Sequence, residues 1–241
     1  MDEKNPAING GFTPLHIAAK NGHFDICKLT IDNVDEKNPA SNDGFTPLYL
    51  AAQHGHYDIC KVIIDNLDEK NPEVNGGYTP LHIAAHNGHF AICKFIIDNV
   101  DEKNPPCNAG FTPLYLAAQN GHYDIFKVII DNLDEKNPEV NGGHTPLHIA
   151  AHNGHFDICK FTIDNVDEKN PASNDGITPL HLAAQNGHFE ICKLIIDNVD
   201  NMSPVDNNGS TPLYLAAKSG YFGTIKLIYY LLCKYIKKMF E

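Results

Sequence analysis

The sequence predicts an all-α solenoid of stacked helix-loop-helix units, and three observations carry that prediction. The stretch Thr13-Pro14-Leu15-His16-Ile17-Ala18-Ala19 returns every 33 residues, with its threonine at Thr46, Thr79, Thr112, Thr145, Thr178 and Thr211. Two glycines keep the same register, since Gly11 and Gly22 each have a counterpart in all seven units. Between this punctuation the apolar residues recur at helical spacing. A strict period of this length marks a repeat array, in which each unit buries its apolar face against its neighbours. Seven units of 33 fill nearly all of the 241 residues, so 1–241 reads as one repeat domain.

The first unit serves as template. Asn9-Gly10-Gly11-Phe12 is turn chemistry, with Gly11 placed where a positive φ or a close backbone approach is needed. Thr13 is the expected N-cap and Pro14 the first helical residue, where a missing N–H costs nothing. Leu15, Ile17, Ala18 and Ala19 make a short helix whose alanines permit close packing, and Gly22 ends it. His23-Phe24-Asp25 turns into a second helix, Ile26 to Ile31, with its apolar residues toward the core. Asp32-Asn33-Val34-Asp35-Glu36-Lys37-Asn38-Pro39 is the polar return to the next unit. Neither helix is long enough to be stable alone, because helices under ~12–15 residues are marginal in water.

The punctuation and the Thr-Pro-Leu-His tetrapeptide of the 33-residue unit resemble the ankyrin repeat family over nearly the whole chain. The resemblance implies an ankyrin-repeat solenoid with β-turn fingers, one concave surface made of fingers and inner helices, and protein recognition there. It also implies that His16, His82, His148 and His181 hydrogen-bond the threonine turn and the neighbouring connection. One departure stands out: Val34, Leu67, Val100, Leu133, Val166 and Val199 occupy the place where the family has a helix-ending glycine. Because asparagine tolerates a left-handed backbone and a β-branched residue does not, Asn33 and its equivalents are expected to take the left-handed cap. Val34 is then expected to tuck back against the helix.

Charge and cysteine usage narrow the function. A formal charge of −12 argues against a phosphate-backbone partner, because nucleic-acid binding rests on lysine and arginine displacing counterions. A neutral or basic protein surface fits better. Cys27, Cys60, Cys93, Cys159 and Cys192 share one repeat position. Equivalent helices sit roughly 8–10 Å apart, beyond the ~7 Å Cα limit for a disulfide, so these read as small buried residues of a protein in a reducing, cytoplasmic compartment. The chain opens inside an inter-repeat connection with no secretory leader in view.

No catalytic or cofactor motif emerges, and neither an enzyme nor a cofactor is expected. The His82/His86 and His148/His152 pairs have a zinc-compatible spacing, but no third ligand repeats with them and the first histidine is engaged in the turn. Asp35-Glu36 lacks the alternating ligands and glycine of a calcium loop. Partner recognition is expected from positions that vary while their neighbours do not. Phe12, Phe45, Tyr78, Phe111 and His144 precede the threonines, as do Ile177 and Ser210. Either each ring packs on the next finger and is partly buried, or the rings form an exposed stripe of interface anchors. Lys20, Gln53, His86, Gln119, His152, Gln185 and Lys218 on the first helices continue the same surface by resemblance to family members that bind there.

Two features lie outside the repeat pattern. Residues 46–111 and 112–177 differ at only nine of 66 aligned positions, so a two-unit block has been duplicated. From Tyr221 the chain loses the Asn-Val-Asp-Glu stop and runs apolar and basic to Glu241, which reads as one extended helix over 221–241 capping the last unit. It lacks the clean polar face of a membrane-surface helix, and Lys234 interrupts an apolar run shorter than the ~20 residues of a membrane span. The sequence therefore reads as a monomeric, non-enzymatic protein-binding scaffold. The alternatives are the targeting fragment of a larger enzyme or channel, and a scaffold that reaches membranes through its last helix.

Overall fold

A computed structural model of the chain describes residues 5–239. Each repeat is a pair of antiparallel helices. The first helices are α1 (Pro14–Asn21), α3 (Pro47–His54), α5 (Pro80–Asn87), α7 (Pro113–Asn120), α9 (Pro146–Asn153), α11 (Pro179–Gln185) and α13 (Pro212–Ser219). The second helices are α2 (Phe24–Asn33), α4 (Tyr57–Asp65), α6 (Phe90–Asn99), α8 (Tyr123–Asp131), α10 (Phe156–Asn165), α12 (Phe189–Ile196) and α14 (Phe222–Met239). Among the described residues the only β pairing is an isolated bridge between Val140 and His144.

The chain divides into two compact parts, Met1–Asn132 and Leu133–Glu241. In the first, α1, α3, α5 and α7 pack in series, and α2, α4, α6 and α8 pack in series beside them. In the second the same two layers are α9, α11, α13 and α10, α12, α14. The core lies between the layers. Leu48, Ile59, Ile63 and Ile64 are fully buried in the second repeat, as are Leu81, Ile92, Ile96 and Ile97 in the third. Ala51, Ala52, Ala84 and Ala85 have no exposed surface, which is how neighbouring first helices come close.

Several first helices are capped twice at their starts. Thr46 Oγ1 accepts from Tyr49 N at 3.2 Å, the N-cap expected from the sequence. Asn38 Oδ1 accepts from Leu48 N at 2.9 Å, and Asn71, Asn104, Asn137 and Asn170 do the same ten residues upstream of their own leucines. Two of the unpaired N–H groups at the starts of α3, α5, α7 and α11 are thus satisfied by side chains. The first helices end at left-handed glycines as expected, with Gly22 at φ 79°.

The end of the second helix differs from expectation. No residue other than glycine has a positive φ among the described residues, so Asn33 and its equivalents do not take the left-handed cap. Instead Asn33 Nδ2 reaches back to Leu29 O at 2.8 Å, and Val34 leaves the helix in extended geometry, buried as expected. The terminal carbonyls are satisfied by lysine. Lys37 Nζ donates to Ile31 O and Val34 O, and Lys70 Nζ donates to Ile64 O at 2.9 Å and to Leu67 O. Lys103 and Lys169 repeat the arrangement. An ammonium at a helix C-terminus meets both the unpaired carbonyls and the negative end of the helix dipole, so no left-handed residue is required. Adjacent residues of Asp-Glu-Lys-Asn-Pro therefore close one helix and open the next.

The last second helix, α14, is a single element of 18 residues, longer than its counterparts. It packs on α12 and α13 in the ordinary second-helix position. No described helix is long and apolar enough to cross a membrane.

Candidate partner-binding site

The fingers are hydrogen-bonded turns joined to one another. Ser41 N donates to Phe45 O at 2.8 Å and Gly44 N to Ser41 O at 2.9 Å, closing the second finger. Asn42 N then donates to Gly10 O at 2.9 Å, and Asn108 N to Gly76 O at 3.0 Å, linking consecutive fingers within the first part. The approach is so close that a Cβ on Gly11 would lie 2.7 Å from Asn42 N. Glycine is therefore required there for space as well as for its φ of 78°.

The five ring residues chosen from the sequence lie at the bases of these fingers. Each packs against the residue four positions on in its own repeat, with centroid distances of 5.3 Å for Phe12–His16, 5.6 Å for Phe45–Tyr49, 5.4 Å for Tyr78–His82, 5.2 Å for Phe111–Tyr115 and 5.2 Å for His144–His148. Phe45 and Phe111 are 37% exposed and Phe12, Tyr78 and His144 half-buried, with Ile177 and Ser210 in the same state. One side of each ring is therefore packed within its own repeat and the other faces solvent. On the first helices, Lys20, His86, Gln119, His152, Gln185 and Lys218 are exposed and Gln53 half-buried.

Four of these residues come together. Tyr78, His86, Phe111 and Gln119 line a hollow of about 300 Å³ in the first part, with His82, Ile83 and Leu116. Its walls are two rings and two aliphatic side chains, and its rim carries an imidazole and an amide. His86 Nδ1 receives Asn120 Nδ2 at 3.1 Å, which leaves the ring proton on Nε2 and fixes the imidazole's orientation. Ile83 and Leu116 were not selected from the sequence. They lie three positions before His86 and Gln119, on the same helical face, so spacing alone could have found them.

Two sets of repeated histidines have structural roles. His82 Nδ1 accepts from Thr79 N at 3.1 Å, so Nε2 carries the proton and donates to Phe111 O at 3.1 Å. His16 and His148 bridge in the same way to Phe45 O and Ile177 O, and His181 to Ser210 O. This confirms the role implied by resemblance. Burial pushes the imidazoles of His82 and His148 down to about 4, outweighing the backbone carbonyls that favour the charged form. With both nitrogens used, His82 has no lone pair for a metal, and the described residues hold no group of three potential ligands.

The second set sits after the loop glycine and reaches backward. His56 Nε2 donates to Lys20 O at 3.0 Å, His89 to Gln53 O at 3.1 Å, and His122 to His86 O at 3.1 Å. In the second part His188 donates to His152 O at 3.0 Å. The cysteines at the shared position are buried free thiols, and burial raises Cys27 to about 11 and Cys159 and Cys192 to about 12. A thiol held that far above neutrality is a poor nucleophile.

The sequence reading passed over a second aromatic row. Phe24, Tyr57, Phe90, Tyr123, Phe156, Phe189 and Phe222 open every second helix, and the phenylalanines among them are 38–66% exposed. Its signal was regularity: the residue is aromatic in all seven units, although it stands beside exposed carboxylates such as Asp25 and Asp58.

A family model described as ankyrin repeats in three copies matches residues 1–75, 65–142, 104–173, 128–203 and 147–239. The chain belongs to the ankyrin repeat family. Ankyrin repeats are in general protein-protein interaction modules without catalytic activity. Among curated proteins, none matches this ankyrin repeat chain at a significant level.

Proposed function

We propose that this ankyrin repeat protein is a non-enzymatic scaffold that holds a protein partner on its fingers and first helices. The observation that carries the reading is the hollow lined by Tyr78, Ile83, His86, Phe111, Leu116 and Gln119. Apolar walls beneath a polar rim suit an apolar side chain of the partner whose neighbouring backbone hydrogen-bonds to His86 and Gln119. Rings packed on their own helices, and the doubly capped helices α5 and α7, lose little freedom on binding, so more of the contact energy appears as affinity.

The chemistry of the remaining groups supports a binding rather than a catalytic role. The buried imidazoles are neutral structural donors and the repeated thiols are raised well above neutrality.

The test uses exposed positions, so that folding is preserved. His86→Ala with Gln119→Ala, and separately Phe24→Ser with Phe90→Ser, are compared with the unchanged chain in quantitative crosslinked pull-downs from source-cell lysate. The reading expects a partner that is lost with the first pair and kept with the second. Loss with the second pair alone moves the site to the second-helix row and overturns it.

A further inference from the structure

We propose that Asn9, Asn75 and Asn141 are sites of covalent self-modification, where the side-chain amide leaves as ammonia through a succinimide and the finger is rebuilt with an aspartyl or isoaspartyl link. The argument rests on which of the nine Asn-Gly pairs in the chain leave the glycine amide free to react.

The reaction begins when the amide nitrogen after an asparagine attacks the side-chain carbonyl carbon. At the third finger, Gly76 N bonds to Asn75 Cγ, the bond from Cγ to Nδ2 breaks, and ammonia leaves with the proton that Gly76 N gives up. Water then opens the five-membered ring at either carbonyl. Opening at Cγ leaves aspartate, and opening at the main-chain carbonyl leaves isoaspartate, whose main chain runs through the side-chain methylene. The sequence needs only water, a following residue with no side chain in the way, and an amide that holds no hydrogen bond.

Six of the nine pairs fail the last condition. At helix ends Gly22, Gly88, Gly121 and Gly154 donate to the carbonyls of Ala18, Ala84, Ala117 and Ala150, and Gly187 N donates to Ala184 O at 3.3 Å. The asparagines of these pairs are also turned back, each Nδ2 donating to the carbonyl four residues upstream, as Asn87 does to Ile83 O at 3.0 Å. In the last finger Gly209 N donates to Asp206 O at 2.9 Å.

The other three pairs, Asn9-Gly10, Asn75-Gly76 and Asn141-Gly142, share one position in the first, third and fifth fingers. Both residues of each pair are exposed, and among the described residues the amides of Gly10, Gly76 and Gly142 donate no hydrogen bond. Space is open as well, since a Cβ on Gly76 would meet Tyr78 Cδ2 at 3.6 Å and nothing nearer. A second glycine follows in each case, so the main chain can swing toward the side chain with little steric resistance.

The second, fourth and sixth fingers keep the asparagine but follow it with a side chain, as Asn42-Asp43, Asn108-Ala109 and Asn174-Asp175. They close the same turn, with Gly44 N on Ser41 O where the third finger has Gly77 N on Val74 O. No positive φ is needed at Asp43, Ala109 or Asp175, whereas Gly10, Gly76 and Gly142 stand at 94°, 87° and 85°. The turn therefore does not require glycine at this place, and its effect is to make alternate fingers reactive. The consequence falls on the contact with the next finger. Gly10 O accepts from Asn42 N at 2.9 Å, and Gly76 O and Gly142 O accept from Asn108 N and Asn174 N at 3.0 Å. An isoaspartyl link adds a main-chain atom and a negative charge beside that carbonyl, so each reacted finger releases the one after it.

The full chain is incubated at mildly alkaline pH and body temperature, and its tryptic peptides are mapped for a gain of one mass unit and for isoaspartate. Peptide 71–94 carries Asn75-Gly76 with Asn87-Gly88, and peptide 137–160 carries Asn141-Gly142 with Asn153-Gly154, so each holds its own control. Two hydrogen bonds must open before a helix-end amide can attack, so Asn75 and Asn141 are expected to react at least about tenfold faster than Asn87 and Asn153. The same peptides incubated in isolation should lose that preference. Gly76→Asp, which gives the third finger the residue that the second already carries, should slow Asn75 at least about tenfold while Asn141 continues. In the reacted chain the amide of Asn108 should exchange faster than before. Equal rates at finger and helix-end sites in the folded chain overturn the proposal, as do the same preference in isolated peptides, undiminished reaction at Asn75 in Gly76→Asp, or unchanged exchange at Asn108. All of these readouts are taken on the chain alone, so they stand apart from any protein held on the fingers.

Discussion

The second and third repeats share a backbone and differ in how their first helices hold the next finger. In the third, His82 ties Thr79 N to Phe111 O through both ring nitrogens. In the second, Tyr49 fills the same space, packs on Phe45 and leaves Tyr78 O to the backbone bond from Val74 N. Burial without a second hydrogen bond suffices for one junction, and a buried proton-sensitive bridge is built into the other. The alternation of Thr-Pro-Leu-His and Thr-Pro-Leu-Tyr over the first five repeats is therefore an alternation of junction chemistry.

Acid should break this comparison most strongly. The imidazole of His82 falls to about 4 in the folded protein against an ordinary 6.5, so the unfolded chain binds the proton more readily. The contribution is complete above pH 6.5, and roughly 3 kcal/mol is lost as the pH falls from there toward 4. Amide exchange of Cys107, which shares Phe111 O with His82, should accelerate relative to Val74 in the Tyr49 junction. Equal changes at the two amides would mean that the bridge contributes nothing. His148 predicts the same acid response in the second part, where burial also brings it to about 4.

Substitution sharpens the point. His82→Ala should cost about 3 kcal/mol, combining a cavity with unpaired polar groups at Thr79 and Phe111. His82→Tyr should cost only about 1 kcal/mol and remove the acid sensitivity, since the second repeat already shows that tyrosine fits. Both are best read by residue-level exchange, because repeat arrays do not always unfold in one step.

The connectors should be indifferent to the alternation. Lys70→Met after the second repeat and Lys103→Met after the third should each cost about 1 kcal/mol, from the same lost bonds to helix-end carbonyls. A large difference between them in denaturant titrations would show that the connector depends on junction type. The surface pairs come last. Lys61–Asp65 at 2.8 Å and Lys94–Asp98 at 3.1 Å are both about half exposed, and removing either should produce no measurable change in either repeat's exchange.

Most of the fold was legible because the signals were local and repeated. Thr13, Pro14 and Gly22 announce helix start and stop whatever surrounds them, and the period forces stacking. The helix end at Val34 was misread because its cap comes from Lys37, whose stem has to fold back over the connection. Nothing in residue preferences distinguishes such a lysine from a solvated one. The candidate site was legible as a row of positions, whereas the hollow at Tyr78 and Phe111 depends on distances between neighbouring repeats. The outer aromatic row was missed for the opposite reason. Its members are aromatic in every unit, Phe or Tyr, so a search for positions that change character passes over them.

Asp-Glu-Lys-Asn-Pro also determines how the chain carries load. Lys70 grips the helix that precedes it while Asn71 grips the helix that follows, so tension applied along the chain passes from repeat to repeat through these clasps in series. Each clasp can open without its neighbours. A single molecule pulled from its ends should lengthen in discrete steps, each releasing one 33-residue repeat, or about 110 Å of extended chain.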